Sequence, residues 1–422
     1  MKLFALIVFI AMYVLMTRFL NKRIFFVLGA AVIFLITGVL PIRSVPTAIN
    51  WNVLMMIGGT MVLVDFFIAS RMPNRIAEIL LGKSKNVMWV TIYMSLFSGV
   101  ISAFIDNVAT VLMVAPVGLA ICKKMNISPV PMVLAIAVSS NLQGAATLVG
   151  DTTSIMLGAY AKMDFMDFFW MHGRPGIFFA VELGALATIP IMMFLFCKDR
   201  EPVSSEGKTE VLDMIPSFLL VGVVVLLIIA SFFKNKPEIT NGLICCILAA
   251  VAIVLNVLRS RNGEQAKHAL RSVDYETLAL LTCLFIVIAG ITEVGVIDDI
   301  ASLIAGVGGK NIFLLYTIIV WGSVAFSAFI DNIPYVATML PVLAGITSRL
   351  GIEPYLLYFG LLCGATLGGN LTPVGASANI TAVGLLKKNG YNVGFGDFMR
   401  IGVPFTLAAV LSGYLFLWIV WR

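Results

Sequence analysis

The chain has 422 residues, of which 60% are hydrophobic and 12% are charged. A soluble domain has about a quarter of its residues charged, so this composition excludes an ordinary soluble protein and indicates an integral membrane protein surrounded by lipid. The net charge of +6 comes from basic residues scattered through short loops between apolar segments. This distribution is typical of membrane topology and does not indicate a nucleic-acid partner.

Eight segments are apolar enough and long enough to cross a membrane as one helix, which takes about 20 residues. The segment at the start of the chain is too long for a signal peptide and lacks an Ala-x-Ala-like cleavage site, so we interpret it as a retained span. The pattern predicts an all-α polytopic membrane protein. The eight segments are 3–20, 24–42, 51–70, 174–196, 213–233, 240–258, 276–296 and 402–421.

Four further apolar segments are too long for one span and have polar residues in the middle. Segments 88–121 and 311–348 contain SAFIDNVATVLMVAPV and SAFIDNIPYVATMLPV, which predict re-entrant hairpins with an Asp-Asn pair at each tip; one tilted helix is the alternative. Segments 130–160 and 354–385 contain SSNLQGAATLVGDTTS and GATLGGNLTPVGASAN, which predict broken or kinked helices. At membrane depth such backbone is tolerated only inside protein or beside a wet cavity.

The distribution of Lys and Arg predicts the orientation. If each hairpin returns to its own side, the chain crosses ten times and both termini share one side. Alternating loops then collect 19 of the 28 basic residues on one side, which the positive-inside rule makes cytoplasmic. Both termini are therefore expected outside, and 197–212 is expected to be a cytoplasmic linker. The expected location is the inner membrane of a bacterial or archaeal cell.

The chain also contains an internal repeat. Asp331 follows Asp106 by 225 positions, and Gly375 follows Gly150 by the same interval. Residues 1–196 and 213–422 are therefore predicted to be two copies of one unit, each with five transmembrane helices that include one broken helix, and with one re-entrant hairpin. Five crossings would insert the second copy upside down, and inverted repeats with broken helices are typical of secondary transporters.

The two Asp-Asn pairs are the strongest functional signal, because a charged side chain in a bilayer costs a few kcal/mol and is a functional hypothesis by default. Their oxygens could coordinate a cation, or a carboxyl group could carry a proton. Capping of the following helix is a compatible structural role. The candidates for ion or proton coupling are Asp106, Asn107, Asp331, Asn332 and Asp151, the last of which has Ala376 as its counterpart. Na⁺ and H⁺ both stay open as the coupling ion.

Small and polar residues near the hairpin tips and helix breaks are candidates for contacting a small ion or polar solute, because they let backbone groups approach a ligand. They are Ser102, Asn141, Thr147, Gly150, Thr152, Ser327, Asn370, Thr372, Gly375, Ser377 and Asn379. Asp65 and Glu182 lie in ordinary spans and are interpreted as structural, with a relay role as the alternative. The spacing of cysteines and histidines indicates no metal site, and no catalytic arrangement or nucleotide motif is present. No enzyme activity and no cofactor other than the coupling ion are expected.

At the four quoted stretches, the chain resembles the ion transporter superfamily. Within it, the chain is similar to the branch of arsenite permeases, NhaD-type sodium/proton antiporters and the melanosomal P protein, and it is most similar to P-protein-like members. The resemblance covers nearly the whole chain and implies the fold and a transport function. Because dimers are common among related transporters, the resemblance also allows a homodimer.

Related divalent-anion/sodium symporters carry Ser-Asn-Thr at the two tips that bind sodium and substrate carboxylates. This chain has instead Asp106-Asn107-Val108 and Asp331-Asn332-Ile333. The extra carboxylates argue against a dicarboxylate substrate and toward a cation, a proton or a neutral solute. The expected function is secondary active transport by alternating access, coupled to a H⁺ or Na⁺ gradient. An arsenite/antimonite efflux permease or a Na⁺/H⁺ antiporter is the alternative, and an anion channel or an intramembrane hydrolase is more remote.

Overall fold

The structure is a computed structural model that describes residues 1–19, 22–203, 209–233, 235–260, 263–308 and 311–422. The described residues are almost entirely helical, which confirms the predicted fold class. A two-stranded antiparallel ribbon is the one sheet in those ranges, with β1 (Trp170–Met171) pairing with β2 (Arg174–Pro175). Part of the predicted linker, 204–208, lies outside the described residues.

The elements follow in the same order in the two halves of the chain. The first half contains α1 (Lys2–Arg18), α2 (Arg23–Ile36), α3 (Val45–Ala48), α4 (Trp51–Ala69), α5 (Met72–Lys83), α6 (Val87–Ser102), α7 (Asn107–Lys124), α8 (Val130–Gly144), α9 (Thr152–Tyr160) and α10 (Ile177–Leu195). The second half contains α11 (Ile215–Ser231), α12 (Thr240–Ser260), α13 (Glu264–Ser272), α14 (Tyr275–Glu293), α15 (Val296–Gly308), α16 (Ile312–Ser327), α17 (Asn332–Leu350), α18 (Tyr355–Leu362), α19 (Ser377–Lys388) and α20 (Phe395–Trp421).

Besides the four-residue α3, three helices were not predicted, and two predicted spans have an end that differs from the structure by more than three residues. The segments of α5, α13 and α15 had been taken as loops, because these short helices have only one apolar face. The span predicted at 24–42 ends at Ile36, since Gly38 takes a left-handed φ of 72° and Pro41 follows. The last span begins at Phe395, seven residues earlier than predicted, because Asp397 accepts a hydrogen bond from the Gly394 N–H and caps the helix.

Seven helices in the described ranges are long and apolar enough to cross a membrane, and an eighth span results if the bent pair α15–α16 is counted as one. The seven are α4, α7, α10, α12, α14 (together with α13), α17 and α20. Several predicted spans are shorter, including α2 and α11. The chain is thus an integral membrane protein, and the number of ten crossings stays a prediction.

Each segment predicted as a hairpin consists of two helices with a break at the Asp-Asn pair, and not of one tilted helix. The start of α6 and the end of α7 lie together, since Val87 and Cys122 line one crevice beside Lys198 and Asp199. The short helices α5 and α15 each contact both helices of the hairpin that follows them. Hairpin 1 (α6–α7) and hairpin 2 (α16–α17) therefore have the same supporting arm.

The predicted topology assigns each loop and helix end to one of the two sides of the membrane, and the observed contacts join segments assigned to the same side. On the side predicted to be outside, Lys2 pairs with Asp299 at 2.6 Å. On the side predicted to be cytoplasmic, Arg259 pairs with Asp213 at 3.5 Å, and the N–H of Val87 donates to the carbonyl of Glu201. These contacts separate the loops into two faces. Which face is cytoplasmic stays a prediction.

The repeat is visible in matched hydrogen bonds. Asn50 caps α4 by accepting from the Val53 N–H at 3.2 Å, and Asp274 caps α14 by accepting from the Thr277 N–H at 3.0 Å. The two halves also pack in a crossed manner, with α4 against α12 and α14 against α2. In the same way, α7 of hairpin 1 packs on α19, and α17 of hairpin 2 packs on α9. The hairpin tips consequently lie at the interface between the halves, whose inverted relation stays a prediction.

Candidate functional site at the hairpin tips

The first tip is formed by Asp106 and Asn107 at the break between α6 and α7. One carboxylate oxygen of Asp106 accepts hydrogen bonds from the backbone N–H groups of Val108 at 3.0 Å and Ala109 at 3.2 Å. Asp106 therefore caps α7, as the structural alternative proposed. The side chain is only half-buried and lines a cavity, so capping leaves it accessible to an ion.

The second tip is formed by Asp331 and Asn332, and the side chain of Asp331 is buried. One carboxylate oxygen accepts from the N–H of Ile333 at 3.2 Å, which caps α17. The other oxygen accepts from the Ser377 hydroxyl at 2.9 Å and forms an ion pair with Arg23 at the start of α2. The sequence had placed Arg23 among the loop charges, so this ion pair was not predicted.

An asparagine network connects the first tip to both broken helices. The side-chain amide of Asn107 donates to Asn141 at 2.9 Å, and Asn141 donates to the carbonyl of Thr366 at 2.6 Å and to Asn370 at 3.1 Å. Asn370 in turn donates to the carbonyl of Val138 at 2.8 Å. These buried amide side chains thereby find hydrogen-bond partners within the protein, as buried polar groups generally do. The network therefore joins the two halves at their centre.

Asp151 lies at the start of α9 and is buried beside the second half. The hydroxyl of Thr153 donates to its carboxylate at 2.9 Å, and the Asn332 amide lies 3.5 Å from the same oxygen. Thr153 also shares a hydrogen bond of 2.9 Å with Thr366 across the interface. Thr153 and Thr366 were not among the predicted residues, although both lie in the polar stretches that were identified.

The breaks are held to the hairpins in the same way in both halves. Thr147 donates to the carbonyl of Ala103, and Thr372, 225 positions later, donates to the carbonyl of Ala328. A Cβ atom at Gly150 would lie 2.6–2.8 Å from three carbonyl oxygens, which are those of Gly144, Ser102 and Ala103. A Cβ at Gly375 would meet the carbonyls of Ser327 and Gly369. Only glycine permits this close approach of backbone to backbone.

Side-chain contacts of the remaining predicted residues also stay within the buried framework. The Ser327 hydroxyl donates to the carbonyl of Ala365 at 2.6 Å, and Asn379 donates to the carbonyl of Gly369 at 3.2 Å. The hydroxyl of Ser102 is buried without a partner among the described residues.

A cavity of about 490 Å³ exposes part of this arrangement to one face of the protein. Its mouth includes the exposed residues Asp274 and Glu276, and its inner wall reaches the buried Asp151. Six predicted residues line it: Asp106, Asn107, Asp151, Thr152, Asn332 and Ser377. The other candidates are buried behind the wall, and their direct contact with a solute stays a prediction: Ser102, Asn141, Thr147, Gly150, Ser327, Asp331, Asn370, Thr372, Gly375 and Asn379.

The lining of this cavity is strongly acidic. It contains five carboxylates and a single basic side chain, Arg23, among the described residues; the carboxylates are those of Asp65, Asp106, Asp151, Asp274 and Glu276. Asp65 contacts His268 at 3.2 Å and Gln265 at 3.0 Å, so it belongs to the mouth of the cavity. Glu182 is half-buried on α10 and does not line the cavity. A surface of this charge attracts cations and repels anions.

A second cavity of about 610 Å³ lies on the opposite face. Two ion pairs connect loops along its wall: Lys236 with Asp164 at 2.5 Å, and Lys162 with Glu238 at 2.9 Å. This second cavity reaches Leu148. Leu148 belongs to the same helix break as Asp151, the residue that immediately precedes α9. The break is thus approached from both faces, by an acidic cavity on one side and an ion-paired cavity on the other.

No three His, Cys, Asp or Glu side chains converge as metal ligands within the described ranges. Apart from Arg23, the polar side chains that line the first cavity carry carboxyl, amide and hydroxyl groups. These are groups that bind a hard monovalent cation or exchange a proton.

Comparison with known proteins agrees with this architecture. The sequence profile of the family described as "Citrate transporter" (CitMHS) matches residues 6–361. An uncharacterized transporter of Mycobacterium bovis is 30% identical over 99% of this chain and 98% of its own length. The human P protein is 24% identical over 87% of this chain and 53% of its own length, which confirms the predicted similarity to the P-protein-like branch.

Two solved structures have the same fold. The YdaH transporter of Alcanivorax borkumensis superimposes with a TM-score of 0.62 at 14% identity, covering 89% of this chain and 87% of that one. MtrF of Neisseria gonorrhoeae has a TM-score of 0.59 at 16% identity, covering 92% of this chain and 84% of its own. At these identities the likeness concerns the fold alone.

Proposed function

Because the chain belongs to the citrate transporter family, and is therefore a membrane transporter, we propose that it is a secondary active transporter coupled to a H⁺ or Na⁺ gradient. The observation that carries the proposal is the position of Asp106 and Asp151, which line one cavity open to a single face. A carboxylate in that position can take up a cation or a proton from that face. Access from the other face would require the helix break to open toward the second cavity.

The charge of the cavity favours a cation as the transported or the coupling species. Citrate carries up to three negative charges near neutral pH, and binding it would require basic partners. The described lining offers one, Arg23, which is already paired with Asp331. Placing an anion among five carboxylates costs free energy, because like charges at close range repel strongly in a low-dielectric site. The acidic lining therefore disfavours citrate and favours a Na⁺/H⁺ antiporter, whereas it does not discriminate against arsenite or antimonite, which are uncharged near neutral pH.

In the proposed mechanism, the site is open to the two cavities in turn. In the state with the acidic cavity open, Asp106 exchanges its ion or proton with the solution on that face. The amides of Asn107 and Asn332 offer further oxygen ligands on the cavity wall. The two hairpins then move with the broken helices that they contact, and the site is exposed to the second cavity. Alternating exposure of this kind is how transporters with broken helices couple two fluxes.

Reconstitution tests the proposal. In proteoliposomes loaded with a pH-sensitive dye, an imposed Na⁺ gradient should move protons, and an imposed pH gradient should move ²²Na⁺. Ionophores that dissipate both gradients should abolish any concentrative flux. Counterflow of citrate, arsenite and antimonite is measured in the same vesicles. Concentrative transport that survives the loss of both gradients would contradict the proposal.

A further inference from the structure

The two hairpin tips are alike in sequence but differ in charge. Asp331 has a guanidinium partner, and Asp106 has none among the described residues. Both carboxylates cap the helix that follows them, so the difference does not come from the local backbone. It comes from Arg23, which belongs to the other half of the chain from Asp331.

Arg23 is placed to act as a permanent partner. Its side chain is 21% exposed and lines the cavity, whereas that of Asp331 is 6% exposed and does not line it. Arg23 compensates the charge of this buried carboxylate, and removing one partner of a buried ion pair is strongly destabilising because it leaves the other charge unpaired. An arginine guanidinium carries a permanent positive charge, so the Arg23–Asp331 pair is neutral as a unit.

The described residues at the corresponding place in the second half include no such partner. The helix that matches α2 is α12, which begins at Thr240 and has no basic residue before Arg259. Lys236, which precedes α12, is held by Asp164 at 2.5 Å in the second cavity. The repeat therefore leaves Asp106 facing the acidic cavity without a counter-ion from the described chain.

From this asymmetry we infer that Arg23 is a resident cation that fills the second of two related half-sites, so that Asp106 provides the only hairpin tip available to an exchangeable cation. The inference rests on the proposed function and adds to it that the two hairpin tips have different roles. Asp331 and Arg23 hold a fixed neutral pair that positions hairpin 2. Asp106 carries the charge that changes during transport.

Charge-neutralising variants separate the two roles. Arg23→Gln and Asp331→Asn should each lower Na⁺-driven proton movement at least about tenfold, because each leaves one buried charge unpaired. The double variant Arg23→Gln/Asp331→Asn removes both charges and keeps hydrogen-bonding groups. We expect it to recover to within about threefold of wild type, since contacting residues are not additive. Arg23→Lys keeps the charge and should retain partial activity.

The assay is the recovery of acridine-orange fluorescence after NaCl is added to energised everted vesicles, at matched expression. Thermal unfolding of the purified variants is measured in parallel, and there too the double variant should recover most of the loss caused by either single change. A double variant as uncoupled as Asp331→Asn, although it folds normally, would overturn the inference, because Asp331 would then carry the coupling charge itself.

A different result would refute the proposed function. If the wild type shows no response to Na⁺, Li⁺ or K⁺, transport is not coupled to these cations. The recovery of thermal stability in the double variant would still decide whether Arg23 is the partner of Asp331. Additive losses of stability in the double variant would then overturn the inference on its own.

Discussion

Gly150 offers the sharpest test of how the site is built, because a single methyl group should disrupt it. An added Cβ would lie 2.6 Å from the carbonyl oxygen of Gly144, 2.7 Å from that of Ser102 and 2.8 Å from that of Ala103. All three are backbone atoms, so no side-chain rotation relieves the overlap. Overpacking of this kind costs about 1–3 kcal/mol, and the adjacent Asp151 must shift with its backbone. Gly150→Ala should therefore lower both the stability and the coupled transport.

The matched control is Gly384→Ala on α19, where an added Cβ meets nothing within 4 Å. Alanine there should be neutral or stabilising by up to about 1 kcal/mol, because it is the better helix former. Both variants are measured by tryptophan fluorescence during thermal unfolding in detergent and by Na⁺-driven proton movement in vesicles. If Gly150→Ala is as stable and as active as Gly384→Ala, then the close packing of the helix break at Gly150 against hairpin 1 is not required for the structure of the site.

Two further predictions concern the faces of the protein. Cys197 is the one exposed cysteine of the six, so a membrane-impermeant maleimide should label it in everted vesicles and not in intact cells. The variant Cys197→Ser is the control. Adding the exposed cysteine Ile42→Cys to that variant should give the reverse result, with labelling in intact cells and not in everted vesicles. Labelling of Cys197 in intact cells would contradict the topology. Asp164→Asn leaves Lys236 without its counter-charge, which should open the second cavity and increase labelling of Leu148→Cys from that face. Unchanged labelling would mean that this ion pair does not control access.

The sequence predicted the class of fold, and it also identified candidate residues that line one cavity, because both depend on strong local signals. Long apolar segments identify a membrane protein, and an Asp-Asn pair inside an apolar segment is too costly to be accidental. Asp106, Asn107, Asp151 and Asn332 indeed line one cavity. The spacing of 225 also anticipated the matched contacts of Thr147, which depend on the same short motif in each half.

What the sequence could not give depends on contacts between distant parts of the chain. Arg23 follows an apolar segment and reads as a loop charge, and only the crossed packing of the halves brings it to Asp331, 308 positions away. The acidic mouth is assembled in the same way from Asp65 and Asp274. The helices α5 and α15 were missed because one apolar face on a short segment resembles a loop when no neighbouring hairpin is known to cover it.

We propose that Asp106 carries the charge that couples transport to an ion gradient, and the variant Asp106→Asn removes that charge alone. Asparagine caps a helix about as well as aspartate, so the fold is retained while the carboxylate is lost. Asp298→Asn, the same change at an exposed position on α15, is the control. At equal expression, Na⁺-driven proton movement in everted vesicles should fall at least about tenfold in Asp106→Asn and stay unchanged in Asp298→Asn. Coupled transport at the wild-type level in a folded Asp106→Asn variant would show that Asp106 does not carry the coupling charge.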